Sequence, residues 1–212
     1  MFKNIFLFIF TIIQITSFSQ NDNGTISIGM RSTISLFDHD KTTSVGYGAG
    51  GQFRIQVLDR LNTEWFLDYL QQDLGEIAFR KDLHIGWSLM FYPWLLKDKE
   101  KLQVIKPYIA TGHCFDWSEL VLKDYRNVKG NKFGSAIQFG VGTHINLSES
   151  FDITLLSQYM IHLGKDIQLH YDNSTHSHNI KTEEHTDAYG HLLITFGINY
   201  KIGRLWTVKL RK

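Results

Sequence analysis

The sequence predicts an all-β protein, an eight-stranded antiparallel up-and-down transmembrane β-barrel. Three observations predict it. About eight segments, each roughly ten to fifteen residues long, alternate apolar and polar side chains. The connections between them are alternately long and short. The face opposite each apolar row is built from Gly, Ala, Ser, Thr and Gln with few lysines, which suits a narrow, crowded interior better than a solvated surface.

The chain opens on a stretch with the layout of a secretory leader, from Met1 to about Ser19. Lys3 supplies the positive start, Ile5 to Ile15 the apolar run, and Ser17-Phe18-Ser19 the small residues a signal peptidase reads, so cleavage is expected before Gln20. The run is shorter than the ~20 residues a bilayer-spanning helix needs, which argues against a retained anchor. No later apolar stretch is long enough to cross as a helix, so a membrane home must be reached by strands. The expected organisation is a signal peptide over residues 1–19, a barrel over 20–203 and a basic tail over 204–212.

Length and charge set further bounds. A chain of 212 residues fits one domain. With Lys3 in the leader, 21 of the 22 basic residues remain against 21 acidic ones, and no nucleic-acid footprint is visible. Cys114 is the single cysteine, which excludes an intrachain disulfide.

Read at period two, the first segment spans about Thr25 to Phe37, with Ile26, Ile28, Met30, Ile34 and Leu36 on one face and Ser27, Gly29, Arg31, Thr33 and Ser35 on the other. The second, about Ser44 to Val57, sets Val45, Tyr47, Phe53 and Ile55 against Gly46, Gly48, Gly50, Gln52 and Arg54. The third, about Leu61 to Asp73, sets Trp65, Leu67 and Tyr69 against Glu64, Phe66 and Asp68. In the fourth, Leu83, Ile85, Trp87, Leu89 and Phe91 oppose His84, Gly86, Ser88 and Met90.

The fifth segment, about Val104 to Phe115, alternates less cleanly. The sixth, about Lys132 to Leu147, is the clearest, with Phe133, Ile137, Phe139, Val141 and Ile145 opposite Gly134, Ala136, Gln138, Gly140, Gly142 and His144. The last two run about Phe151 to Lys165 and Thr186 to Ile202, with apolar rows Ile153, Leu155, Tyr159, Ile161, Leu163 and then Leu192, Ile194, Phe196, Ile198, Tyr200.

In a soluble barrel the apolar row points inward; in a membrane barrel it meets lipid and the polar row fills the lumen. The small-residue face here therefore reads as the lumen. Arg31, Arg54, Glu64 and Asp68 fall on it, and buried charges are costly unless paired. They are expected to form one ion-pair and hydrogen-bond network across strands one to three.

Short connections at about Leu58 to Arg60 and Ser148 to Ser150, with a longer one around Lys97 to Gln103, are assigned to the inner side. The long stretches Trp117 to Gly130 and Asp166 to His185 are expected as outer loops. Both chain ends on the inner side require an even strand number. Trp94, Tyr108, Phe151 and Tyr200 on one rim and Phe37, Phe133 and Tyr189 on the other suit interfacial belts.

Two constellations bear on chemistry. His113, Asp116 and Ser118 cluster at the outer end of segment five, but their spacing matches no hydrolase motif. His170, His176, His178 and His185, with Glu183 and Glu184, crowd the last outer loop without the closed ligand spacing of a structural zinc site. Neither is taken as a site: no catalytic residue, no metal and no cofactor is expected. Eight strands enclose a space just wide enough to be filled by side chains, so no porin-like channel is expected either.

Phe53 to Glu64 (FRIQVLDRLNTE) followed by Asp68-Tyr69, then Lys106 to Gly112 (KPYIATG), Gly140 to Thr143 (GVGT) and Phe196 to Tyr200 (FGINY) resemble the outer-membrane β-barrel family of PorT-like proteins. That family is akin in architecture to the small OmpA/OmpX-type barrels. The resemblance implies an eight-stranded barrel in the outer membrane of a bacterium, without an established activity for most members, and raises participation in protein secretion. The chain departs from the pattern by continuing past Tyr200 into the basic tail instead of ending on an aromatic.

The expected function is therefore a non-enzymatic integral outer-membrane protein. Its partners would be outer-membrane lipids and an envelope or extracellular protein met by the loops, with no nucleic acid. A lipid-acting barrel enzyme and a soluble lipocalin-like carrier are the competing readings.

Overall fold

The computed structural model describes residues 23–39, 42–75, 77–94, 102–124, 128–172, 177–184 and 189–206. The leader and the end of the tail lie outside the described residues. Ten strands are present among those described: β1 (Thr25–His39), β2 (Thr42–Leu58), β3 (Leu61–Leu74), β4 (Ala78–Phe91), β5 (Ile105–Leu122), β6 (Lys129–Asn146), β7 (Phe151–Leu163), β8 (Lys165–Asp172), β9 (Ser177–Glu184) and β10 (Tyr189–Arg204). All but β8 and β9 pair antiparallel with their neighbours in one ring, which β1 closes by pairing with β10. The result is a closed eight-stranded barrel whose own sheet has no open edge.

Facing follows the period-two reading. Phe139, Ile194 and Phe196 are 61%, 43% and 45% exposed on the outer wall, and Trp65, Ile85, Trp87 and Ile198 are exposed there too. Arg31, Arg54, Glu64 and Asp68 are buried inside. The outer rows form an apolar belt, while side chains fill most of the lumen. One apolar plug gathers Phe66, Leu70, Cys114, Ala136, Met160 and Leu193, and a second Met90, Tyr92, Tyr108, Ala110 and Leu156. A polar ladder joins the walls, in which Gln158 Nε2 donates to Gln138 Oε1 and Gln138 Nε2 to Ser88 Oγ, each at 3.0 Å.

The barrel strands are 13 to 18 residues long, several residues more than a tilted strand needs to cross a bilayer. The longest, β5 and β6, run on at the end distal to the termini, where the structure differs from the expected loops. Residues 117–122 continue β5 and pair with β6 as far as Val121↔Lys129. Leu120 and Leu122 keep the inward parity and Trp117 the outward one, so the alternation persists where the polar residues around it suggested a loop. The stretch Asp166 to His185 holds the hairpin β8–β9, paired from Lys165↔Glu184 to Asp172↔Ser177. Gly164, with φ +101, makes the turn that lets the chain leave β7 for it.

Ile167 and Ile180 of this hairpin pack over the distal mouth on Ala78, Leu120, Leu122 and Leu74. Gly130 lies under them: a Cβ there would run into Ile180 Cγ2 and come within 3.1 Å of Ile167 Cγ2. At the other end, β2 turns into β3 through Asp59 and Arg60, and residues 147–150 join β6 to β7. The last strand extends to Arg204, and the Leu205 amide donates to the Gly24 carbonyl at 2.8 Å, so the start of the basic tail continues the seam between the chain ends.

The aromatic rims are only partly as expected. Phe151 and Tyr200 face each other at 4.9 Å on the terminal rim, with Trp94 exposed near it, and Phe115 stacks on Phe133 at 5.8 Å toward the distal rim. Tyr108 is not a rim residue. It has the parity of Lys106 and Ala110 and points into the lumen, 2% exposed. The side chains of Phe37 and Tyr189 lie outside the described set.

Candidate functional site: the charged lumen and its terminal mouth

Arg31, on β1, reaches across β2 to two carboxylates of β3: Nη1 lies 3.1 Å from Glu64 Oε1 and Nε 3.1 Å from Asp68 Oδ1. The register explains the reach. Gly50 of β2 is the partner of both Arg31 and Asp68, and a Cβ at Gly50 would collide with the Asp68 carboxylate. The guanidinium also covers the Phe66 ring at 4.5 Å, and Thr33 Oγ1 lies 3.1 Å from Thr195 Oγ1 beside it.

Arg54 is the register partner of Glu64, yet its guanidinium takes another direction. Nη2 donates to Asp152 Oδ2 at 2.5 Å, on β7 across the lumen, and Nη1 donates to His144 Nδ1 on β6 at 2.9 Å. Asp152 Oδ1 also accepts from Asn199 Nδ2 at 2.9 Å, and Asn199 accepts from Gln52. The four expected residues are thus all inside, but they do not make one network over strands one to three. Arg31 holds the two carboxylates, while Arg54 belongs to a second group with β6, β7 and β10.

A third group fills the distal half. Asp116 Oδ2 lies 3.0 Å from His162 Nδ1 and Asp116 Oδ1 3.4 Å from His84 Nε2; His162 Nε2 in turn lies 3.1 Å from His191 Nδ1. Arg80 Nε donates to Asp82 Oδ1 at 3.0 Å, and Ser118 Oγ donates to Asp116 Oδ1 at 3.2 Å. Sequence reasoning missed Asp82, Asp116 and Asp152 as lumen charges. Their signal was parity alone, since each alternates with the outward row of its strand.

The grouping of His113, Asp116 and Ser118 does not survive folding. His113 sits on the outer wall, edge-on to Phe115 at 5.0 Å, while Asp116 and Ser118 point inward. Odd and even positions of one strand cannot share a site. Of the loop histidines, His170 and His178 lie on β8 and β9, and His176 and His185 fall outside the described residues. Among the described residues no group of three His, Cys, Asp or Glu side chains is arranged to hold a metal ion.

At the terminal end the lumen opens into a small polar cup of about 20 Å3. Arg54, Lys106, His144, Asp152 and Lys201 supply its ionisable side chains together with Tyr92. This arrangement can hold charge; among the described residues it sets no nucleophile against a base.

No protein-family model matches the chain, and no curated protein matches it. Among solved structures it is similar to Neisserial surface protein A, at 9% identity over 84% of this chain and 97% of that one, with a TM-score of 0.61. It is similar to the outer membrane protein OprG of Pseudomonas aeruginosa, at 16% identity over 88% and 99%, with a TM-score of 0.55. A major outer membrane protein of Thermus thermophilus gives 8% identity over 84% and 99%, with a TM-score of 0.55. What this chain shares with all three is the closed, all-antiparallel eight-stranded barrel.

Proposed function

We propose that this chain is a non-enzymatic integral protein of the bacterial outer membrane, a rigid closed mount whose distal strand extensions and β8–β9 hairpin meet an envelope or extracellular protein. The observation that carries the reading is the inversion of a soluble protein's pattern. An apolar belt covers the outer wall while Arg31, Glu64, Asp68, Arg54 and Asp152 pair inside. Exposed rows of Phe, Ile, Leu and Trp around a whole barrel are stable only against hydrocarbon. A lipocalin-like carrier needs those rows around a central void, and the lumen is instead filled by side chains.

The packed lumen supports a role other than passage through the axis, and the three solved structures, all outer-membrane or surface proteins by name, support the location. The PorT-like motifs support an accessory role in secretion. Loops and extensions on a rigid scaffold are where such binding is placed. The test is membrane fractionation combined with heat-modifiable gel mobility. The mature protein is expected in the outer-membrane fraction, running faster unboiled than boiled, and recovery in the soluble envelope fraction without detergent would refute the reading.

A further inference from the structure

One buried carboxylate of the lumen is matched differently from the others. Glu64 and Asp68 lie against Arg31, Asp152 against Arg54 and Asp82 against Arg80, each held by a guanidinium that keeps its charge at any ordinary pH. Asp116 of β5 is 0% exposed, and its contacts among the described residues are two imidazoles and a hydroxyl. His162 Nδ1 lies 3.0 Å from Oδ2, His84 Nε2 lies 3.4 Å from Oδ1, and Ser118 Oγ donates to Oδ1. A buried carboxylate is costly without a counter-charge, so the balance here depends on a proton carried by a histidine.

Of the two imidazoles, His84 is the better placed to carry it. It stands on β4 in register with Asp68 of β3 on one side and Asp116 of β5 on the other. Asp68, Asp82 and Asp116 lie within its electrostatic reach, whereas His162 has Lys132 of β6 and Arg80 of β4 within reach besides Asp116. The other ring nitrogen of His162 lies 3.1 Å from His191 Nδ1 of β10, a hydrogen bond that needs one of the two facing nitrogens free of a proton. Arg80 is held by Asp82 at 3.0 Å and reaches Asp116 through Ser118, to whose hydroxyl its Nη2 donates at 3.3 Å. Lys132 is the register partner of Ser118, while level with Asp116 β6 has Gly134. Arg31 of β1 faces Asp68, and above the group the β8–β9 hairpin presents Ile167 and Ile180.

We propose that His84, Asp116 and His162 form a proton-binding site in which His84 holds an imidazolium as the counter-charge of Asp116, so that the stability of the barrel depends on pH. Histidines of the unfolded chain are neutral at pH 8, so the folded chain binds one proton more there. The stabilisation is complete below about pH 6.5, where the unfolded chain is protonated too, and is lost as rising pH draws the proton from His84. The site lies beneath the seat of the hairpin: Asp116 is on the strand that carries Leu120 and Leu122, and His162 stands two residues before the turn at Gly164.

The test is nuclear magnetic resonance of the full chain, labelled with nitrogen-15 in its histidine rings, carrying no added histidine tag and folded in an uncharged maltoside detergent at pH 8. Of the ten histidines, one is expected as a doubly protonated imidazolium and the rest as neutral rings. The imidazolium signal should vanish in His84→Gln and in Asp116→Asn and persist in His162→Gln, with heat-modifiable mobility reporting that each variant is folded. The folding equilibrium constant of the parent chain, from unfolding in urea, should fall by up to about tenfold per pH unit between pH 7.5 and 9, and Asp116→Asn should lack that component. Neutral rings throughout the parent chain, a result that needs no variant to fold, would overturn the site. So would an imidazolium that follows His162 or survives without Asp116, or an equal fall of stability with pH in Asp116→Asn.

Discussion

Arg31 and Asp68 meet at 3.1 Å over the backbone of Gly50, with a whole strand between them. A side chain on β2 at that register would stand in the line of the bridge. The glycines on the lumen face are therefore more than space savers: this one lets a cation on β1 serve carboxylates on β3. Gly50→Val should push the Asp68 carboxylate away from Arg31 and destabilise the barrel by about 1–3 kcal/mol through overpacking. The unfolding midpoint in urea, followed by Trp fluorescence in detergent micelles, measures it. An unchanged midpoint would show that the bridge does not depend on the gap.

Arg54 and Asp152 tie opposite walls together. Arg54→Met leaves Asp152 buried against His144 and Asn199 without its cation, at a cost of about 3–5 kcal/mol. Adding Asp152→Asn to Arg54→Met should recover part of it, with a coupling energy of about 0.5–3 kcal/mol in the double-mutant cycle. Additive losses would mean the two side chains do not interact in the folded protein.

Phe139 and Ile194 lie on the outer belt. Phe139→Lys, toward the middle of β6, places a charge against hydrocarbon and should lower stability in lipid vesicles by about 2–4 kcal/mol. A soluble barrel would tolerate the same change on its exposed wall. Unchanged folding into vesicles, read as the fast-running unboiled band, would therefore count against the belt.

Gly130 sits beneath Ile180 and Ile167. Gly130→Val should unseat the β8–β9 hairpin from the distal mouth and leave the barrel closed below it. Limited proteolysis would then cut within residues 164–188 several times faster than in the parent chain, while heat-modifiable mobility stays the same. Equal cleavage rates would show that the hairpin does not rely on that contact.

What the sequence determined by itself is the barrel: its strand number, the parity of its strands and hence which rows face out. These follow from a period of two, which a strand cannot evade, and from glycines and small polar residues that tolerate only a crowded interior. The tertiary structure decided which charges meet. Arg54 and Glu64 are register partners, yet Arg54 turns to Asp152, 98 residues away, because closure brings β7 within reach across the lumen. Parity also sent Tyr108 inward and His113 outward, and strand pairing carried β5 to Leu122 and built a hairpin where polar composition suggested a loop. Partnerships across a closed lumen depend on shear and side-chain reach, neither of which leaves a mark in local sequence.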